Sequence, residues 1–385
     1  MQHYIESSCL SHLDKIIAPL QLGKRLVVVC DSNTWKAAGE RVFHALGDEY
    51  QLMRVQLEEA VIPSLATAQR IIALAGDMDA LVAVGSGTIN DLTKYAAHKT
   101  GKPYIVIATA ASMNGYAAAN ASLWEGAYKT SQTATPPKMI IADTEILAEA
   151  PTRLTSAGFA DMMCRSTVQT DMFLSHHLRG TPYQSEAFAA LEPIEQALLP
   201  KSKKLTTGDE KSVASLMKGL IIGGGWMSKT GSSATASQGE HMIAHAIEML
   251  YPKIAVRAYH GELVAVATVS MAKIQQRLLN GKPQLRKPAS QENIQAVFGK
   301  ELAASLLENY QKKSGVTQEK LEAKWPEIVA DIFGFMIPAE ILQSALDEAG
   351  APTKPEHIGL TEDQYSYALE YAHWTRDRFT FLDII

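Results

Sequence analysis

Residues 81–97, LVAVGSGTINDLTKYAA, decide the fold. Leu81–Val84 reads as a strand that ends on Gly85-Ser86-Gly87 and passes at once into a helix pattern, Ile89–His98. Glycines let the backbone turn tightly and approach a phosphate, and the free N–H groups of a helix start favour an anion. The same three residues also make an ordinary helix-initiating turn, and the full GxGxxG fingerprint is absent. Position separates the readings, because this turn closes a strand in the middle of an alternating array.

Working outward, further strand patterns stand at Arg25–Cys30, Leu52–Leu57, Tyr104–Ala108 and Met139–Ala142, with helical spacing at Thr34–Leu46 and Ser64–Ala75. Strands alternating with helices of ten or more residues imply βαβ units and a mainly parallel sheet, whose ligands bind at the carboxyl ends of the strands. After Pro151 strand signals fade. Helical patterns follow at Ala157–Leu174, Tyr183–Leu199, Lys211–Met227, Gly239–Leu250, Glu262–Leu279, Asn293–Lys312 and Asp363–Phe379, with a loop at Gly281–Ser290. The expectation is an α/β domain with a mainly parallel sheet over 1–150 and an all-α domain over 151–385.

Composition agrees with this. The 385 residues are 46% hydrophobic and 20% charged with a formal net charge of −5, which suits a globular protein and leaves no electrostatic footprint for nucleic acid. Cys9, Cys30 and Cys164 are odd in number and widely spaced, which argues against a disulfide framework or a thiolate zinc site. The opening MQHYIESSCLSHLDK lacks the basic-then-apolar order of a signal peptide, and no uncharged apolar run nears the ~18 residues of a membrane span. A cytoplasmic protein with no membrane insertion is expected.

Three further features carry chemistry. Small residues fill 109–122, TAASMNGYAAANAS, as either a flexible surface loop or a close wall for a flat ligand. Asp31, ending the first strong strand, can accept both hydroxyls of an adenosine ribose or cap the helix that follows, and these roles are compatible. Asp161 in SAGFADMMCR, His241 and His245 in GEHMIAHAIEML, and His260 in AYHGELVAV form a candidate metal set. His241 and His245 are four apart, hence on one helix face, and imidazole with carboxylate suits zinc, nickel or ferrous iron better than magnesium. Each of these residues alone is more often structural, but an unpaired imidazole in an apolar helix is costly.

In the order VGSGTINDLTK, TAAS, GFADM, GEHxxxH and HGELV, these motifs resemble the sn-glycerol-1-phosphate dehydrogenase branch of the glycerol dehydrogenase, iron-type alcohol dehydrogenase and dehydroquinate synthase superfamily. The likeness is greatest to its bacterial NAD-dependent members and runs from CDSNTW at Cys30 to TRDRFTFLD ending at Asp383. It implies a dehydroquinate synthase-like fold, with a dinucleotide-binding domain over 1–150 and a metal- and substrate-binding helical domain over 151–385, that takes NAD (NADP possible) and one divalent metal ion: zinc, nickel or iron. Asp31 would contact the ribose. Gly85, Ser86, Gly87, Thr88, Ile89, Asn90 and Asp91 would hold the pyrophosphate region, and Thr109, Ser112 and Ala118 would flank the cofactor. Asp161, His241 and His260 would be the metal ligands, His245 would face the substrate, and Lys129 would lie near the catalytic centre.

Two positions depart from the family pattern: Asn114 stands where an aspartate usually points at substrate, and Ala118 where a Ser or Thr usually contacts the cofactor. The implied reaction is reversible reduction of dihydroxyacetone phosphate to sn-glycerol 1-phosphate. Its expected partner is a small phosphotriose or polyol, and its expected assembly a homo-oligomer such as a homodimer. Rival readings are a glycerol or other polyol dehydrogenase, and a sugar-phosphate cyclase of the dehydroquinate synthase type. Asp161 argues against the cyclase, because dehydroquinate synthases place a glutamate there. A binding protein that lost the reaction is the remaining rival.

Overall fold

A computed structural model describes residues 2–59, 61–125 and 128–385. Packing divides the chain into two compact units, one of residues 1–162 with 196–233 and the other of 163–195 with 234–385.

The first unit is built on six strands, all pairings parallel: β1 Gln2–Glu6, β2 Arg25–Cys30, β3 Gln51–Gln56, β4 Ala80–Gly85, β5 Tyr104–Ala108 and, after a hairpin, β8 Met139–Asp143. Their order is β1-β8-β5-β4-β2-β3. The central strands β4, β5 and β8 are buried along their whole length, and β2 from Leu26 onward. A parallel sheet covered on both faces demands such continuous apolar runs. The edge strand β1, QHYIE, is mostly exposed and mixes polar with apolar residues, so it left no strand signal in the sequence.

A two-stranded antiparallel hairpin was also missed: β6 Asn120–Glu125 and β7 Tyr128–Thr133. Small and polar residues dominate these strands, so the alternation of β6, with Ala121 and Leu123 buried, is too faint to read from sequence. The Glu210–Thr230 helix belongs to the sheet unit, which therefore does not end at the 150/151 junction. Its Ser228 hydroxyl donates to the Ala117 carbonyl at 2.6 Å, and Thr144 donates to Glu210 at 2.9 Å.

The second unit is helical, with one isolated antiparallel bridge, Leu285 to Ile384. The Gly239–Leu250 and His260–Leu279 helices carry much of its core, including Met242, Ile243, Ile247, Leu263, Val264 and Met271. The expected 157–174 helix is two helices, Thr152–Met163 and Arg165–Arg179, that meet at Cys164. The expected 293–312 helix is likewise split at Gly299, whose φ of 82° only glycine adopts easily. Helices Gln318–Ile332 and Ala339–Glu348 had no counterpart in the sequence reading. No described helix is long and apolar enough to cross a membrane.

Gly158 shows how tightly the first unit is packed. A Cβ there would lie 1.9 Å from the Ala111 carbonyl oxygen, so the Thr152–Met163 helix reaches this backbone only without a side chain. Gly158→Ala should therefore shift the wall or the helix and cost about 1–3 kcal/mol or more. Urea unfolding followed by circular dichroism checks this, and an unchanged midpoint would contradict the packing described.

Candidate functional site

From β2 the chain steps outward to β3 on one side, then crosses to β4 on the other, so the winding reverses between β2 and β4. Open parallel sheets take ligands outside the carboxyl ends of the strands at such a reversal. Asp31 follows β2 there, and Gly85-Ser86-Gly87 ends β4. Asp31 Oδ1 accepts the Thr34 N–H at 2.8 Å, and its own N–H donates to the Thr34 hydroxyl at 2.9 Å. This capping box realises the capping reading of Asp31. Its Oδ2 takes no hydrogen bond among the described residues, so a ribose contact stays open.

The helix Gly87–Thr100 begins at Ser86 without a side-chain cap. Its first-turn amides at Gly87, Thr88 and Ile89 precede the first intrahelical bond, Asn90 N–H to Ser86 O at 2.9 Å. The turn before it requires glycine, because a Cβ on Gly85 would lie 2.6 Å from the Ile89 Cβ. The result is a start of a helix whose N–H groups are available to an anion.

Asn90 and Asp91 are turned the other way, into the protein. Lys94, fully buried, donates to the carbonyls of Gly115 at 2.6 Å and Asn120 at 3.0 Å, and to Asp91 Oδ1 at 3.3 Å. Asp91 also accepts from the Asn90 amide at 3.0 Å and from the Ser122 N–H at 2.9 Å. These bonds staple the small-residue segment to the helix. Thr109 N–H donates to Gly85 O at 3.2 Å, the Ser112 hydroxyl lies 3.4 Å from that of Tyr116, and Ala118 is buried. The segment is thus a packed wall. Lys94 was missed because a lysine in a helix reads as solvated surface.

In the helical unit, His241 and His245 lie on one face of the Gly239–Leu250 helix, each with a carboxylate partner. His241 Nδ1 is 2.9 Å from Glu240 Oε1, and His245 Nδ1 is 2.9 Å from Glu248 Oε2. An ionised carboxylate only accepts, so both rings carry the proton on Nδ1 and direct Nε2 outward. Glu240 is fully buried and also accepts from the Gln238 N–H at 2.7 Å and the Thr167 hydroxyl at 3.1 Å. His260, first residue of its helix, brings its ring centroid to 5.1 Å from that of His241 and 6.2 Å from that of His245. Burial, then the charge of Arg376, pushes the His245 imidazole down to about 3, so the ring is neutral near pH 7.

Glu240 and Glu248 were missed, although both stand in the quoted GEHMIAHAIEML, one beside His241 and one three residues beyond His245. Asp161 lies near the end of the Thr152–Met163 helix, almost fully buried, and its Oδ2 accepts the Asn114 backbone N–H at 2.7 Å. Lys129 sits half-buried on the β6–β7 hairpin, in register with Trp124.

Against known proteins, the model for iron-containing alcohol dehydrogenases matches residues 4–151. A glycerol-1-phosphate dehydrogenase (NAD(P)+) of Bacillus velezensis is 33% identical over 374 residues, spanning 93% of this chain and 84% of that one. One of the same name from Pyrococcus furiosus is 35% identical over 254 residues, 66% of this chain and 72% of that one. The chain belongs to the glycerol-1-phosphate dehydrogenase family. In fold, it is similar to an iron-containing alcohol dehydrogenase from Corynebacterium glutamicum at a TM-score of 0.66 and 17% identity, covering 99% of this chain and 90% of that one.

At Asn114 the backbone, not the side chain, makes the bond to Asp161. Its N–H donates to Asp161 Oδ2 at 2.7 Å, and that bond is indifferent to residue type.

One buried group sets the start of the His241 helix. Asp171 accepts the Gly239 N–H at 3.0 Å, the Phe381 N–H at 3.0 Å and the Gln275 amide at 3.1 Å. Burial and the neighbouring Glu240 push its carboxyl up to about 8 against the pull of these donors. The folded protein then keeps this proton up to about pH 8, whereas the unfolded chain releases it near 3.8. The stability it contributes is full below the lower value and falls as pH rises through the upper one, by at most about 1.4 kcal/mol per pH unit. Chemical unfolding at pH 5 and pH 7.5 should show wild type losing more stability than Asp171→Asn. Equal losses would contradict this.

Proposed function

We propose that this protein is an oxidoreductase that reversibly reduces dihydroxyacetone phosphate to sn-glycerol 1-phosphate with NAD(P)H, and that Asp161, His241 and His260 hold one divalent metal ion. The observation that carries the reading is the pairing of His241 with His260 while Glu240 occupies His241 Nδ1, in a chain whose relatives bear the name glycerol-1-phosphate dehydrogenase.

The donors fit a metal. A carboxylate behind a ligating histidine fixes its tautomer and raises its basicity, which is the arrangement of Glu240 and His241. His260 Nδ1 is buried with no hydrogen-bond partner among the described residues. Cys164, Glu240 and His241 also place one potential ligand atom each within 4.8 Å of one another. Glu240 is committed to three donors, however, which leaves it a supporting part. Asp161 stands one helical turn before Cys164 in the chain, which supports its joining His241. Two imidazoles and a carboxylate suit zinc, nickel or iron.

When bound, such an ion supplies Lewis-acid polarisation of the substrate carbonyl. The residues do the rest. His245, neutral and held through Nδ1 by Glu248, presents Nε2 to accept the hydroxyl proton in alcohol oxidation. In reduction a proton drawn from solvent passes to the substrate oxygen through His245 Nε2, or through a water that His245 orients, and Glu248 steadies the transient imidazolium. The open amides of Gly87, Thr88 and Ile89 suit a pyrophosphate, and Asp31 Oδ2 suits a ribose diol and repels a 2′-phosphate, so NAD is the preferred cofactor. The same reading includes a homo-oligomeric, cytoplasmic enzyme.

Oxidation of NADH followed with zinc, nickel or iron added should show turnover of dihydroxyacetone phosphate well above that of dihydroxyacetone or a seven-carbon sugar acid phosphate. Faster turnover of dihydroxyacetone would replace the reading with a polyol dehydrogenase. Asp161→Ala should lose both metal and activity while keeping its circular dichroism, and full metal retention would remove Asp161 from the ligand set. Asp31→Gly should narrow the preference for NADH over NADPH. A wild type faster with NADPH at equal concentration overturns the Asp31 assignment.

A further inference from the structure

Residues 375–383, TRDRFTFLD, run as a strap beside the helix that carries His241 and His245. The Thr375 hydroxyl donates to the Met242 carbonyl at 3.3 Å, between the two histidines in sequence. Arg376 Nη1 donates to the Ser237 hydroxyl at 3.3 Å, Arg378 Nη1 to the Ser237 carbonyl, and the Phe381 N–H to Asp171 at 3.0 Å. Both ends of the strap are fixed by one buried cation. Lys313 Nζ donates to the His373 carbonyl and, at 2.5 Å, to Asp383, whose other oxygen accepts the Thr380 N–H at 2.9 Å.

The two arginines differ in what they have left to give. Arg378 is tied into the backbone. Arg376 has five N–H donors, spends one on Ser237, and has no carboxylate at ion-pair distance among the described residues. The charges it feels are Asp377 and Glu248, and its own charge acts on His245. It is thus a half-buried guanidinium in the field of the His245–Glu248 pair, with donors unspent on a backbone that is held rigid. Taking such a cation out of water is costly unless an anion answers it, and the planar fork of arginine matches a phosphate with two parallel bonds.

We propose that Arg376 binds the phosphate of the substrate and makes the enzyme select a phosphorylated three-carbon ketone over the bare one. This rests on the phosphotriose reading above and adds the residue that enforces it. His245 then handles the proton at one end of the substrate while Arg376 holds the other.

The test uses metal-loaded full-length enzyme with two readouts, steady-state kinetics and calorimetric titration with inorganic phosphate. Arg376→Gln keeps a donor for Ser237 and removes the charge. The expected result is a rise of about 10- to 100-fold in KM for dihydroxyacetone phosphate with a smaller change in kcat. Preference over dihydroxyacetone should fall by a similar factor, phosphate affinity should weaken in parallel, and metal content should stay the same. Arg376→Lys, which keeps the charge without the fork, should recover part of the affinity and serves where the glutamine variant does not fold. Unchanged KM and phosphate affinity in Arg376→Gln would overturn the assignment and leave the reaction standing. A wild type that does not turn over dihydroxyacetone phosphate would overturn the reaction instead. The phosphate titration then still decides Arg376: affinity lost in the variant upholds it, and no binding to wild type refutes it.

Discussion

Two carboxylates buried at the start of one helix carry the helical unit. Asp171 takes the amides of Gly239 and Phe381, and Glu240 takes the amide of Gln238, the His241 ring and the Thr167 hydroxyl. The first amides of a helix have no partner of their own, and these acids supply one inside the protein. The same contacts fix the tautomer of His241 and the approach of the 375–383 strap. Burial, and then the neighbouring Glu240, push the Asp171 carboxyl up, and the nearby charge of Arg378 partly offsets Glu240. The site histidines are thus oriented by a network that is electrostatically expensive and structurally indispensable.

The two units share one device. In the sheet unit fully buried Lys94 ties two backbone carbonyls and one carboxylate, and so holds the 115–122 wall to the helix that follows the Gly85-Ser86-Gly87 turn. In the helical unit fully buried Lys313 ties the His373 carbonyl and Asp383, and so holds the strap that carries Arg376. An ammonium has three donors and no acceptors, and inside a protein each must be spent. Spending them on irregular backbone turns an otherwise loose segment into a fixed surface. Burial drives the basicity of both lysines down while Asp91 and Asp383 hold it up.

The central sheet was legible in the sequence because parallel strands buried on both faces must be continuously apolar, as Arg25–Cys30 and Tyr104–Ala108 are. The edge strand and the hairpin were not, since their residues are set by pairing and stapling. In the helical unit periodicity placed Gly239–Leu250 to the residue but ran through the breaks at Cys164 and Gly299, which tertiary packing and a positive φ impose. For the candidate site, residue type singled out the histidines and Asp161, whereas Lys94, Asp171 and Glu240 gave no signal. Their roles depend on burial, and a single sequence does not display the burial of a charged residue. Asn90 and Asp91 show the converse: they stand in a motif that suggested a ligand contact, but the Asn90 amide donates to Asp91, and Asp91 accepts from Lys94 and Ser122.

Glu240 holds Nδ1 of His241, which leaves the outward nitrogen for the proposed metal. Crystals of zinc- or nickel-loaded protein, measured at the absorption edge of the metal, test it directly. One anomalous peak is expected about 2.0–2.2 Å from Nε2 of His241, from a ring nitrogen of His260 and from a carboxylate oxygen of Asp161, with the Nδ1–Glu240 bond intact. A peak bonded to Cys164 Sγ and the Glu240 carboxylate, with His241 turned away, would contradict it.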